Sequence, residues 1–273
     1  MVKSAQMTSL ERRVAVDAAR AAGRLLRDEL VGIRRISYKG TPTNLVTEMD
    51  ARAEAMIVNT LRAAFPDDAI LAEEGGALAG GSGRRWIIDP LDGTTNYAHG
   101  VPAFAVSIAL ERAGRVDLGV LYEPNLDEMF VAERGGGATM NDVRLEVSAT
   151  TRLDASLLTT GFPYDVRVRP DNNLAEYSAF SLRSRGVRRW GSAVIDLAYI
   201  AAGRFDGYWE LQLMPWDVAA GALVVEEAGG RVTNIHGGPL DVNAASLIAS
   251  NGRIHDEMLA VLAEIRRHSP KES

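Results

Sequence analysis

Leu10, Val14, Ala18, Ala22, Leu25 and Leu26 recur at helical spacing, with arginine and glutamate between them. That period predicts an amphipathic helix over residues 8–30, one apolar stripe turned toward a core. A second helix is predicted over 48–64, burying Met49, Ala53, Met56, Ile57 and Leu61. Pro66 ends it, because proline has no N–H to continue the ladder. Short apolar runs follow at 69–72, 85–89, 104–111, 116–123 and 128–133. Their lengths and the turn residues between them predict strands in a meander. The second half alternates: helices near 172–183, 192–202, 216–228 and 252–267, strands near 156–160, 207–210 and 246–250. The glycine-rich stretch GGALAGGSG, 75–83, reads as a mobile surface loop.

Helices, then a meander, then alternation predict an α/β chain in which helical layers pack on sheets. Neither a repeat nor a Pro/Ser linker divides it, so one domain over 1–273 is expected, with sub-halves of roughly 1–146 and 147–273. A chain of 273 residues can bury a substantial core. The net charge of −6 argues against a nucleic-acid partner, which leaves a basic footprint. With no cysteine there is no disulfide and no thiolate nucleophile. The N-terminus does not read as a signal peptide and no run is long enough to span a membrane, so a cytoplasmic protein without membrane contact is expected.

The chemistry lies in WIIDPLDGTTN, 86–96. Strands disfavour aspartate, and a buried carboxylate is costly unless paired or metal-bound. Asp89 and Asp92 are three apart, so a tight turn can point both inward with the Leu91 carbonyl between them. Those are hard oxygen ligands of the kind magnesium, manganese or calcium prefers. Gly93-Thr94-Thr95 would then open a short helix whose free N–H groups bind an anion such as phosphate. A metal-ligand turn against a phosphate cradle suits metal-assisted phosphoryl transfer. On its own the motif could be a capped turn. Three more acidic stretches accompany it: AEEGG with Glu73 and Glu74, PTNLVTEMD with Asp50, and PWDVAAG with Asp217. Each has an ordinary reading too, since acids favour helix N-termini and solvated faces.

Taken together and in this order, AEEG, WIIDPLDGTTN and WDVAAG…EEAGG resemble the inositol monophosphatase family, within the lithium-sensitive, magnesium-dependent phosphatases that include fructose-1,6-bisphosphatase. The likeness runs from NLVTEMD to LIASNG. It implies a layered α-β-α-β-α sandwich acting as a single catalytic domain, commonly a homodimer. It implies that Glu73, Asp89 and the Leu91 carbonyl hold a first Mg2+, that Asp89 bridges to a second completed by Asp92 and Asp217, and that a third, weaker ion leans on Glu73. Manganese could substitute; calcium or lithium is expected to inhibit. Asp50 and Thr94 match the catalytic pair that positions the attacking water. The amides of Gly93, Thr94 and Thr95 match the phosphate cradle. Gly191, Ser192 and Ala193 match the place where polyol hydroxyls are met, and Glu210, seven residues before Asp217, matches the inositol-contacting glutamate.

The implied reaction is hydrolysis of phosphate monoesters of polyols, inositol monophosphate first. Fructose-1,6-bisphosphate, histidinol phosphate and a nucleotide 3′-phosphate are alternative substrates, and a non-catalytic regulatory binding protein is the alternative of another class. His99 is read as structural, Glu74 as supporting at most, and Lys39 as solvated. Asn44 stands where many relatives carry Asp. AEEG replaces the commoner GEES, and the loop from Glu74 to Trp86 is short, which bears on third-ion affinity and lithium sensitivity.

Overall fold

The computed structural model describes residues 9–30, 36–38, 45–243 and 245–268. Lys39 and Asn44 lie outside the described residues. The first amphipathic pattern forms α1 (Leu10–Asp28), capped by the Ser9 hydroxyl accepting from Arg12 N, with Ala15, Ala18, Ala19, Ala22 and Leu26 buried. A two-stranded pair, β1 (Ile36–Tyr38) and β2 (Leu45–Thr47), leads into α2 (Glu48–Ala64).

The meander is an eight-stranded sheet of β3 (Ala69–Ala72), β4 (Gly76–Leu78), β5 (Arg84–Asp92), β6 (Ala105–Arg112), β7 (Arg115–Glu123), β8 (Glu128–Glu133), β9 (Gly137–Met140) and β10 (Val143–Arg144). Their order is β10-β9-β8-β7-β6-β5-β3-β4. A short helix, α3 (Thr94–Ala98), follows β5. The second half contributes β11 (Leu157–Thr160), α4 (Leu174–Ser181), β12 (Gly186–Arg188), α5 (Ala193–Ala201), β13 (Gly207–Leu213), α6 (Pro215–Glu227), β14 (Arg231–Asn234), β15 (Ala245–Ser250) and α7 (His255–His268). Its five strands lie in the order β12-β11-β13-β15-β14.

Side-chain alternation along β5 explains the layering. Trp86 and Ile88 pack with α1 and α2, while Ile87 faces the opposite way into a core built on α5 and α6. α5 and α6 are apolar on nearly every face, as helices covered on two sides must be. Their far side meets the small sheet through Tyr208, Val232 and Leu247. Phe180, Trp209, Ile254 and Met258 then pack α4 and α7 on that sheet's other face. The result is the expected α-β-α-β-α sandwich.

α6 approaches the large sheet closely: a Cβ on Gly119 of β7 would sit 2.7 Å from the Ala220 carbonyl oxygen. No helix among the described residues is long and apolar enough to cross a membrane.

Two differences from the expected elements matter. The stretch 75–83 is not a free loop. It begins as β4, paired antiparallel with β3, and Gly81 N and Ser82 N both donate to the Asp67 carbonyl, at 2.8 and 3.0 Å. Buried Asp68 takes the Ser82 hydroxyl, the Arg84 guanidinium and the Trp86 indole N–H, at 2.7, 2.9 and 2.9 Å. The strand predicted over 85–89 runs on to Asp92 through a register shift. Asp89 pairs with Ser107 and Asp92 with Ala105, so three steps on β5 match two on β6. Pro90 donates no hydrogen bond, and the extra residue at this point is a β-bulge.

Candidate active site

The bulge answers why a buried strand ends on two acids. An extra residue between Asp89 and Asp92 brings side chains three apart to one side, where regular alternation would oppose them. Both carboxylates thereby meet Asp217, and one oxygen from each of the three lies within 4.8 Å of the others. The Leu91 amide donates to Asp89 Oδ1 at 3.0 Å, which tightens the turn.

Asp92 is held from across the molecule. Ser192 Oγ donates to Asp92 Oδ2 at 2.5 Å and Val194 N at 2.7 Å, so Asp92 also caps α5 from outside. Asp217 is the third residue of α6, and its Oδ2 accepts from Met214 N at 2.7 Å. Pro215 at the first helical position fits the same start.

Glu73 leaves β3 beside β5, its amide donating to the Ile88 carbonyl at 3.2 Å. Glu54 fixes the turn after it: Oε2 accepts from Glu74 N at 2.8 Å and Oε1 from Gly75 N at 2.7 Å. Asp50, one turn before Glu54 on α2, takes the Thr47 amide and hydroxyl on Oδ2, at 2.8 and 2.7 Å. Its other oxygen is 3.1 Å from Thr94 Oγ1, which is also 3.0 Å from the Leu91 carbonyl. The single hydroxyl proton of Thr94 is thus shared between a carboxylate and a carbonyl. Gly93 precedes it with φ 92, where a Cβ would be 2.9 Å from the Ala103 carbonyl oxygen, so glycine is required to start α3.

Electrostatics mark this cluster. Burial, then repulsion from Glu73, Asp92 and Asp217, raises the Asp89 carboxyl well above the usual carboxylate range. Burial and Asp92 do the same to Asp217, and burial pushes Asp92 up to about 6. No described arginine pairs with any of the three. Crowded carboxylates with hard oxygen donors and, among the described residues, no cationic partner fit a divalent cation.

A cavity of about 470 Å³ opens over the cluster. Glu73, Asp89, Leu91, Asp92 and Asp217 line it, as do Gly93, Thr94 and Thr95. Gly191, Ala193 and Glu210 line it too, on the side formed by β13 and the start of α5. Asp50 stands behind Thr94, and Ser192 is buried with its hydroxyl committed to Asp92. Glu210 lies against Gly161 and accepts from the Tyr208 hydroxyl at 2.7 Å; burial pushes its carboxyl to about 7. It sits at a second bulge, where Glu210 pairs with Leu247 and Leu213 with Ala245 and Gln212 takes φ 61. His99 is exposed at the end of α3 and does not line the cavity.

Glu54, Tyr164 and Arg189 were not singled out from sequence. Glu54 had a legible signal, an acid four residues after Asp50 on the buried face of a helix. Tyr164 and Arg189 line the cavity from loops whose position depends on distant partners.

The sequence model described as the inositol monophosphatase family matches residues 8–268. The chain belongs to the inositol monophosphatase family. Family membership makes it a phosphoric monoester hydrolase. The inositol-1-monophosphatase of Mesorhizobium japonicum is 46% identical over 249 residues, covering 90% of this chain and 93% of that one. The Nus factor SuhB of Pseudomonas aeruginosa is 43% identical, covering 94% and 96%. The inositol monophosphatase structure from Anabaena (Nostoc) superposes with a TM-score of 0.84 at 45% identity, covering 92% of this chain and 94% of that one.

Proposed function

We propose that this chain hydrolyses phosphate monoesters of polyols, inositol monophosphate first, with magnesium as its metal. The observation that carries this is the meeting of Asp89, Asp92 and Asp217 beside the Gly93–Thr94 start of α3. Glu73, Asp89, Asp92, Asp217 and the Leu91 carbonyl would hold two to three Mg2+, in a cavity reached by a small ester. When bound, the ions supply Lewis acidity, an acidified water and charge neutralisation at the ester.

The remaining chemistry belongs to the chain. Thr94 Oγ1 can accept the proton of the attacking water and pass its own to Asp50, 3.1 Å away. Buried Asp50, with its pKa raised from the ordinary range by burial, is suited to receive it. Amides of Gly93, Thr94 and Thr95 would cradle the nonbridging oxygens. Glu210 would accept hydrogen bonds from adjacent hydroxyls of the alcohol, with Gly191 and Ala193 forming the wall beside it. Ser192 would act through Asp92. Because Asp50, Glu73, Asp89 and Asp92 come from one half and Asp217 and Glu210 from the other, we treat 1–273 as one catalytic domain. The family resemblance supports a homodimer and lithium sensitivity, and the sequence reading of the N-terminus and apolar runs supports cytoplasmic residence.

The test is phosphate release from inositol 1-phosphate with magnesium and with EDTA. Metal-dependent release supports the reading. Release only from fructose-1,6-bisphosphate, histidinol phosphate or a nucleotide 3′-phosphate would move the substrate. No release from any of them would favour a binding role, which the Nus-factor name of one relative makes worth testing; the intact Asp50–Thr94 pair argues for turnover.

A further inference from the structure

The side chain of Asn96, the last residue of WIIDPLDGTTN, is spent on two carbonyls from opposite halves of the chain. Its amide nitrogen donates to the Ala103 carbonyl at 2.8 Å and to the Trp190 carbonyl at 2.7 Å. A primary amide has two N–H groups, so both are used. The Gly191 carbonyl stands further off, at 3.5 Å. Each partner adjoins one wall of the cavity. The Ala103 carbonyl oxygen lies under Gly93, where a Cβ would come within 2.9 Å of it, so this bond grips the floor of the phosphate cradle. Trp190 precedes Gly191, which takes φ 79 and lines the cavity. A Cβ on Gly191 would meet Asn96 Nδ2 at 3.1 Å, so glycine lets the loop lie against the amide. The backbone of Asn96 is fixed as well: its carbonyl accepts from His99 N at 3.1 Å and Val101 N at 2.9 Å, where α3 ends.

The wall that begins at Trp190 is therefore held at two points. Ser192 fastens it to Asp92, and Asn96 fastens it to the phosphate cradle. With the Asn96 bond gone, Asp92 stays anchored while the wall beside the alcohol is free to swing away from α3. We propose that Asn96 is a positioning residue that sets the gap between the phosphate cradle and the polyol wall, so that hydroxyls reach Glu210 while the phosphate is held at α3. The inference rests on the reading of the cavity as a polyol phosphomonoesterase site and adds what spaces its two subsites. A misplacement of about 1 Å between bound groups is enough to cost about 100-fold in rate.

Asn96→Ala removes both donors, and Asn96→Leu removes them while keeping the side-chain volume, should the alanine protein melt below the assay temperature. With magnesium, either variant should raise KM for inositol 1-phosphate by about tenfold or more. The kcat/KM for a small aryl phosphate, which has no hydroxyls to place, should change by about threefold or less. Magnesium affinity should stay within about threefold of wild type, because Ser192 still holds Asp92. In a Glu210→Gln background the same substitution should cost inositol 1-phosphate little more, since the contact it positions is already lost. A purely structural role would give matching losses on both esters, or an effect that adds independently to that of Glu210→Gln. Either result overturns the proposal.

Calorimetry supplies a readout without turnover. In Asp50→Asn with magnesium, inorganic phosphate should bind equally well with and without Asn96→Ala, whereas inositol 1-phosphate should bind about tenfold more weakly once the amide is gone. Absence of that contrast overturns the proposal even if inositol 1-phosphate is hydrolysed briskly. The same contrast in a protein that hydrolyses neither ester would uphold Asn96 and sink the phosphatase reading.

Discussion

Ser192 donates its hydroxyl hydrogen to Asp92, 100 residues earlier in the chain, and accepts the Ile195 amide on the same oxygen at 3.2 Å. One hydroxyl thus starts a helix of the middle layer and fixes a carboxylate of the large sheet. The aim of Asp92 depends on how that layer is seated.

Asp92→Asn tests charge apart from shape. Asparagine keeps an oxygen for Ser192 and Val194 but removes one negative charge from the cluster. Turnover of inositol 1-phosphate should fall by about 100-fold or more, while the melting temperature in EDTA stays equal or rises as repulsion is relieved. Rates close to wild type at saturating magnesium would remove Asp92 from the ligand set.

Glu210→Gln should separate polyols from simple esters. The kcat/KM for inositol 1-phosphate should drop by about tenfold or more, against about threefold or less for a small aryl phosphate that has no hydroxyls to engage. Matching losses on both esters would assign Glu210 a structural role with Tyr208.

Magnesium should stabilise the fold in a pH-dependent way. Burial pushes Asp92 from the ordinary 3.8 to about 6, so within that window the folded protein holds a proton the unfolded chain has released. The metal-free fold then loses stability as pH rises through the window, and a bound cation restores it above. The rise in melting temperature on adding magnesium should be small at about pH 5 and large at about pH 7.5, as measured by calorimetry.

Glu54→Gln should weaken metal binding from a distance. The carboxylate accepts two amides of the turn after Glu73, whereas glutamine can turn only one oxygen to them. A stability loss of about 1–3 kcal/mol is expected, with at least several-fold weaker magnesium affinity by titration calorimetry. Unchanged affinity would mean that Glu73 is positioned without its help.

His255 gives a pH signature unconnected with the metal site. It is fully buried, with Nδ1 2.9 Å from Ser250 Oγ and Nε2 2.9 Å from Thr233 Oγ1. Burial, helped by Arg231, lowers its pKa from 6.5 to about 4. The unfolded chain accepts a proton that the folded one refuses, so the stabilisation is whole above about 6.5 and declines toward pH 4, by up to about 3 kcal/mol. The gap in unfolding free energy between wild type and His255→Gln should narrow over that range in denaturant titrations.

The legible parts of the fold were those carried by local pattern. Val14 to Leu26 and Met49 to Leu61 announce α1 and α2 because a stripe facing one sheet repeats every turn, although Leu10, read into the first stripe, is exposed. Asp89, Asp92, Glu73 and Asp217 stood out because acids at the ends of apolar runs conflict with their surroundings. β4, β9, β12 and β14 went unread: each has only three or four residues, and glycine starts the first three. Only sheet partners tell such segments from turns. The bond from Ser192 to Asp92 was equally hidden, since it joins two sheets through a helix end. Arg189 has no local signal at all; only the cavity makes it conspicuous.

The missing side chain at Gly119 has a mechanical consequence. It lets α6 lie so close to the large sheet that Asp217 rides on the same rigid block that presses against β7, while Asp89 and Asp92 ride on β5, two strands away across β6. The spacing of the three carboxylates is therefore a gauge of how tightly the second and third layers are clamped, and a methyl group wedged between those layers would be felt at the ester.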